Sequence, residues 1–451
     1  MDFDRSEKGD ENTPLVPHEP PREANLMRKL AVMGGCLMQQ MVVNGIGYGL
    51  SVLYPELIVV FGSSRTNASL VQGIYMGICT GGGIIFTSLI RRFGPGRSIM
   101  VGAAVGTIGL FCSSFAKNLP AVIILTGVVA GTGLCTCYLA AFIAISWIFR
   151  SDAGFALVCL TAGSSVGQFF MPLVIEACIS RYTWSGAYIV ISALPLQCLA
   201  CGLLIHSSSE FYVTSNTSAD GDQAGKTDND KKTNRSKGAF RSLLTDVTIL
   251  LLLVTYFMMS LTGNAEAWFI VDMVVTRGFT RQSGSVIASA IGMANFIGRM
   301  LGTLLRYKMP NTPTLYHWIY LCPLTAVTHA LVVIFHDYTG IFCSCVAYGV
   351  IYGISVAQAP AIMFETAGLD RYPQGMALVN TMYGIGNILS GLLGGFIRDS
   401  TGQYDIVFWL AVGTTLYNGL GAALAAYLIR KKGRDYRMND EISVRYRRLS
   451  D

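Results

Sequence analysis

Twelve stretches of about twenty apolar residues recur along this 451-residue chain, each long enough to cross the hydrocarbon core of a bilayer. They lie near 30–60, 69–90, 98–116, 121–148, 153–178, 186–205, 247–273, 284–305, 315–335, 339–361, 374–397 and 404–429. Lipid offers a backbone no hydrogen-bond partners, so runs of this length predict α-helices and little else. The rest of the composition agrees: 52% of residues are hydrophobic, 13% are charged and mean hydropathy is +0.48. Water-soluble chains carry about 25% charged residues, which excludes a soluble fold. Twelve cysteines suggest neither disulfides nor a metal site, because Cys79, Cys159, Cys345 and most others lie inside apolar runs as small packing residues. No metal or cofactor is expected.

The N-terminus, "MDFDRSEKGDENTPLVPHEPPREAN", is polar and has no cleavable signal pattern, so the first span is expected to act as the insertion signal. The longest polar interruption, 206–246, holds "SADGDQAGKTDNDKKTNRSKG" and reads as a disordered linker dividing the chain six plus six. The expected organisation is a disordered tail (1–29), a six-helix half (30–205), the linker, a second six-helix half (247–429) and a tail (430–451). Of the 33 Lys and Arg residues, 26 then fall on the side of the tails and linker. Six (Arg65, Lys117, Arg181, Arg277, Arg281, Arg398) fall on the other side, and Arg299 stays within a span. The positive-inside rule places both termini in the cytoplasm.

The halves repeat one another. "GFALVCLTAG" (154–163) aligns with "GMALVNTMYG" (375–384), and Gly77, Gly83 and Arg91 are spaced like Gly292, Gly298 and Arg306. Parallel six-helix repeats predict an all-α, polytopic major facilitator fold with a central site near the midplane.

Polar residues inside the spans locate that site. Arg299 sits in "GMANFIGRMLGTLL" (292–305) with no acidic residue within a helical turn. An arginine at the centre of a membrane helix costs about 2.5–3.5 kcal/mol on insertion scales, so it implies water, a partner or an anion. In the repeat register its counterpart is Ile84, so the cation is no requirement of the scaffold. Ala288, Gly292, Asn295, Arg299 and Gly302 share one helix face; span one offers Gln40, Asn44, Tyr48 and Ser51. Span ten offers Tyr348, Tyr352, Ser355 and Gln358, and span eleven Asn380, Tyr383, Asn387 and Ser390. Each strip reads either as interhelical hydrogen-bonding glue or as cavity lining. Together they suit a small organic anion held bidentately by the guanidinium, with Arg299, Asn295, Tyr48, Asn44, Tyr352 and Ser355 as binding candidates.

In "SLTGNAEAWF" (260–269), Gly263 and Asn264 are expected to loosen span seven. Glu266 is either a proton carrier or an interfacial carboxylate snorkelling beside Trp268. His329 and His336 read as interfacial. In the cytoplasmic turn "RRFGPGR", Arg91, Arg92, Gly94 and Arg97, with Arg150 of "IFRSD", are candidates for a conformational latch or plain topogenic charges.

Several segments resemble the monocarboxylate transporter family of the major facilitator superfamily: "GGFIRDSTGQYDIVF" (394–408), "MFETAGLDRYPQGMALV" (363–379), "WIFRSDAGFALVCLTAGSSVG" (147–167) and "RYTWSGAYIV" (181–190). "RRFGPGR" and "IGMANFIGRMLG" fit as well, and the likeness covers nearly all of 30–429. It implies that Arg299 anchors the substrate carboxylate. Where the family places an acid four residues earlier, this chain has Asn295, and "VNGIGYGLSVLYPE" lacks the family's acidic–glycine opening and mid-helix lysine. These departures imply a divergent member with weak or absent proton dependence.

The resulting expectation is a plasma-membrane carrier of a small organic anion, a monocarboxylate first, working by alternating access. The alternatives are a facilitator of amino acids or other polar metabolites without proton coupling, and a non-transporting receptor or scaffold. No enzyme is expected, since the chain shows no paired carboxylates, Ser/His/Asp set or metal-ligand cluster. Expected partners are the organic anion and the bilayer, with a proton and a single-span accessory glycoprotein as candidates and no nucleic acid.

Overall fold

The computed structural model describes residues 25–149, 153–209, 241–309, 311–368 and 371–431. Most of both predicted tails, most of the linker and Arg150 lie outside the described residues. Ten helical runs are long and apolar enough to cross a membrane, and a bent pair, Arg65–Gly81 with Ile85–Phe93 at 58°, makes an eleventh. One of the ten, Cys159–Ser207, holds 49 residues. At ~1.5 Å per residue it would be more than twice as long as the bilayer core is thick. Thr183, with φ 65° and ψ 177°, breaks it into spans five and six.

Span one is Leu26–Phe61, span two Arg65–Gly81 continued by Gly83–Phe93, and span three Pro95–Ser113. Span four runs from Leu119 to Phe149 through a π-helical stretch, Ile123–Ala130. Span seven is Val247–Leu261 plus Ala265–Thr276; spans eight to twelve are Arg281–Lys308, Thr314–Ile334, Tyr338–Ala367, Tyr372–Thr401 and Asp405–Lys431. Several ends follow local chemistry. Ser64, Asn118, Asp246, Thr280 and Asp337 each accept a backbone N–H from the first turn that follows. Gly94, at φ 84°, turns the chain so that Pro95 opens span three.

Two seams join the halves, and both are built from close backbone approach. Span two lies on span eleven: a Cβ at Gly77 would meet the Gly384 carbonyl at 2.9 Å, and one at Gly395 would meet Thr66 Cα at 2.6 Å. Span eight lies on span five: a Cβ at Gly292 would meet the Phe169 nitrogen at 2.5 Å. Gly77 and Gly292 are equivalent in the repeat, as are the helices they touch. The duplicated sequence thus builds the same contact twice, related by the axis between the halves.

Candidate substrate site

Span eight carries the unusual cation, and its faces sort as the spacing predicts. Ala288, Gly292, Asn295 and Gly302 are buried, whereas Met300, Leu301 and Leu304 are exposed on the membrane-facing side. Because Gly292 admits span five so closely, residues of both halves reach Arg299. The Arg299 Nε donates to Asn295 Oδ1 at 2.8 Å, and Ser165 Oγ donates to the same oxygen at 2.9 Å. Two donors aimed at one atom fix the amide orientation, with the oxygen towards the arginine. The Arg299 Nη1 leans on the Thr161 carbonyl at 3.4 Å.

None of these partners carries charge, and among the described residues no carboxylate pairs with Arg299. Its field reaches the phenols of Tyr48, Tyr138, Tyr352 and Tyr383, from spans one, four, ten and eleven. The result is a half-buried guanidinium whose hydrogen-bond partners, the Asn295 amide oxygen and the Thr161 carbonyl, are neutral acceptors. Such a cation can take a carboxylate bidentately, with the neighbouring phenols as the nearest neutral hydroxyls.

Of the residues singled out from sequence, Arg299, Asn295, Tyr48 and Tyr352 come together. Asn44 lies one turn before Tyr48 and donates to Gln40 Oε1 at 3.0 Å. Ser355 gives its hydroxyl to the Ile351 carbonyl, and its own carbonyl accepts from Trp318 Nε1, which ties that turn to span nine. Ser165, Tyr138, Tyr383 and the Thr161 carbonyl belong to the set as well. Ser165 lies in the quoted "TAGSSVG" run, and Tyr383 in the span-eleven strip. Tyr138 had no signal beyond a lone hydroxyl among small apolar residues.

Span seven is broken at Thr262–Asn264, as its Gly-Asn pair predicts. The interfacial reading of Glu266 and His329 is overturned. Both side chains have 0% exposure, and Glu266 Oε1 lies 2.6 Å from His329 Nδ1. His329 lies five residues, about one and a half turns, before the end of span nine, and burial between spans seven and ten outweighs its proximity to that end. His336, beyond the helix end, is exposed.

The turn at 91–97 stands open. Arg91, Arg92 and Arg97 are exposed and form no ion pair among the described residues; with Trp147 and His206 they line a cleft of about 320 Å³. At the opposite end the halves are clamped. Arg281 of span eight pairs with Glu176 of span five at 2.6 Å and with Glu56 of span one. Arg65 of span two holds Asp272 of span seven at 2.9 Å, and the Tyr404 hydroxyl donates to the same carboxylate. Asp399 of span eleven accepts from the backbone N–H groups of Arg65 and Thr66 at 3.0 and 2.9 Å. No sequence spacing links these partners, which lie up to 334 residues apart.

A polytopic helical bundle clamped at one end around a half-buried cation with no carboxylate partner fits a membrane transporter, and the chain belongs to the Major Facilitator Superfamily, whose profile matches residues 37–372. Among curated proteins it is similar to monocarboxylate transporters at low identity. It is 24% identical to monocarboxylate transporter 3 of Rattus norvegicus over 417 residues, covering 90% of this chain and 81% of the relative. It is 24% identical to monocarboxylate transporter 13 of Rattus norvegicus over 393 residues, covering 87% of each. Monocarboxylate transporter 6 of Homo sapiens is 22% identical over 414 residues, covering 88% of this chain and 80% of the relative. A solved D-xylose–proton symporter superposes with a TM-score of 0.70 at 12% identity, over 87% of this chain and 97% of that one. A peptide transporter crystallised with alafosfalin gives 0.71 at 11%, over 88% and 94%. These two likenesses show the fold alone.

Proposed function

We propose that this protein carries a small organic anion of the monocarboxylate class across the plasma membrane by alternating access, with Arg299 as the anion's anchor. One observation carries the reading: a half-buried guanidinium within the bundle has an amide and a carbonyl for partners where a carboxylate would be expected. Desolvating that charge is costly, and a bound carboxylate offsets the cost in the loaded state. Tyr48, Tyr138, Tyr352 and Tyr383 would orient the substrate, and Asn295 with Ser165 would hold the arginine's inner edge. The relatives' names support the substrate class. The unpaired turn at 91–97 and the clamped opposite end support a state facing the cytoplasm.

The test is uptake of radiolabelled lactate, pyruvate and butyrate into proteoliposomes containing the purified protein. Arg299→Ala should abolish carboxylate uptake in protein that still folds. Arg299→Lys, which keeps the charge but loses the planar fork, should weaken it strongly. Full uptake by the alanine variant, or a preferred substrate without negative charge, would overturn the assignment.

A further inference from the structure

A second buried polar cluster remains outside the Arg299 site. Glu266 and His329 are fully enclosed, and each has one more polar atom without a partner: Glu266 Oε2 and His329 Nε2. Two local features shape the position. Glu266 stands in the first turn of the half-helix that follows the break, where the helix dipole favours an anion. The Tyr348 hydroxyl donates to the Gly263 carbonyl freed by that break, at 2.7 Å.

The charges around this half-helix are otherwise matched. Arg277 is held by Asp405 of span twelve, and Arg65 of span two by Asp272. Arg281 of span eight is held by Glu56 of span one and Glu176 of span five. From span eleven, Asp399 is satisfied by the Arg65 and Thr66 N–H groups, and Arg398 lies over the Tyr404 ring, 5.5 Å away. Tyr54 of span one shares the Asp272 network through Tyr404. Span ten faces the pair with Cys345 and Tyr348, which are uncharged groups at neutral pH. Among the described residues His329 is the one basic group within ion-pair distance of Glu266.

Proton bookkeeping follows. With one shared proton the pair is net neutral, either as carboxylate and imidazolium or as carboxyl and neutral imidazole. Removing that proton leaves a single negative charge on the enclosed pair. A line of rings connects the pair to the anion site: His329 to Tyr348 at 5.5 Å, and Tyr348 stacked on Tyr352 at 5.2 Å. Tyr352 stands within the field of Arg299.

We propose that Glu266 and His329 form the proton-binding site that couples transport to the proton gradient, in place of the acid absent at position 295. The inference rests on the anion-carrier reading and deepens it: an anion loads Arg299, a proton loads the pair, and the two cross together with no net charge. The break in span seven, held by Tyr348, gives the pair a hinge through which access can alternate.

Two measurements test it. In proteoliposomes the labelled carboxylates are supplied at an outer pH of about 6 or about 7.5, spanning the range where histidine titrates, over a fixed inner pH of about 7.5. Wild-type uptake should be several-fold faster at the acid value, with an entrapped pH dye reporting proton entry alongside substrate. In Glu266→Gln and His329→Gln the ratio of the two rates should fall to about one, whatever rate remains. A ratio that survives Glu266→Gln, or substrate entry with no proton, overturns the proposal. Independently of substrate, pH-difference infrared spectra of the purified protein should show a buried carboxyl stretch that Glu266→Gln removes. The same stretch persisting in the variant also overturns it. If wild-type protein moves no carboxylate, the anion-carrier reading falls instead, and the infrared band alone decides the proton site.

Discussion

Asn295→Asp is the most informative single change, because it alters charge while sparing geometry. The amide oxygen accepts from Arg299 Nε at 2.8 Å and from Ser165 Oγ at 2.9 Å. An aspartate oxygen accepts both bonds equally well, so the packing of span eight on span five should hold. What changes is that Arg299 acquires a permanent counter-ion. A substrate carboxylate bidentate on the two Nη groups would lie on the opposite edge of the guanidinium, roughly 7 Å from the new charge. At an effective permittivity of ~20 the two anions repel by about 2.4 kcal/mol, roughly fifty-fold in affinity.

The assay is the concentration dependence of counterflow in proteoliposomes, using whichever labelled carboxylate the wild type moves fastest. Half-saturation should rise by a factor on the order of ten to fifty at neutral pH, the lower value allowing for water entering the site. Protonating the aspartate removes the repulsion, so bound substrate favours the protonated form and affinity should recover as pH falls. Wild-type affinity in the variant at neutral pH would refute the reasoning, because the anion would then not be bound against Arg299.

Three further outcomes are expected. Gly94→Val places a β-branched residue at φ 84°, a strain of about 1–3 kcal/mol, and should lower turnover more than surface expression; normal turnover would reduce the turn to topogenic charge. Arg281→Ala leaves Glu56 and Glu176 facing each other, loses about 1.5–3 kcal/mol of charge-assisted bonding, and should raise hydrogen–deuterium exchange at the clamped ends of spans one, five and eight. Epitope tags at either terminus or within 206–246 should stain only permeabilised cells, since most Lys and Arg residues lie on that side.

The spans were legible in the sequence because lipid leaves a backbone so few choices. Predicted boundaries such as 247–273 and 404–429 lie within a few residues of Val247–Thr276 and Asp405–Lys431. The helix faces were legible for a similar reason: the period of 3.6 sorts Asn295 and Gly302 inward and Met300 and Leu304 outward from spacing alone. Contacts between distant helices were not. Nothing local to Arg281 names Glu56 and Glu176 as its partners, and nothing in "LTAVTHALVV" marks His329 as buried against a carboxylate 63 residues away. A histidine near a span end reads as interfacial until the neighbouring helices are known.

The chemistry of the bundle is distributed unevenly over its symmetric frame. Both unusual polar centres, Arg299 and the Glu266–His329 pair, belong to the second half, while the first half contributes Ser165, the Thr161 carbonyl, Tyr48 and Tyr138 around the arginine. Two of those contacts come from span five, which meets span eight at the glycine seam. Any rocking of one half against the other that slides span five past span eight must therefore stretch Ser165–Asn295 and Thr161–Arg299 together. The arginine would then lose neutral partners at the moment the site changes access, and its demand for an anion would change with the conformation. Alternating access needs such a link, since a ligand shifts a two-state equilibrium only by as much as it binds the two states differently. If the proposed alternating access holds, a cation placed beside the span-five seam, in only one of the two repeats, would supply that difference without a separate gate residue.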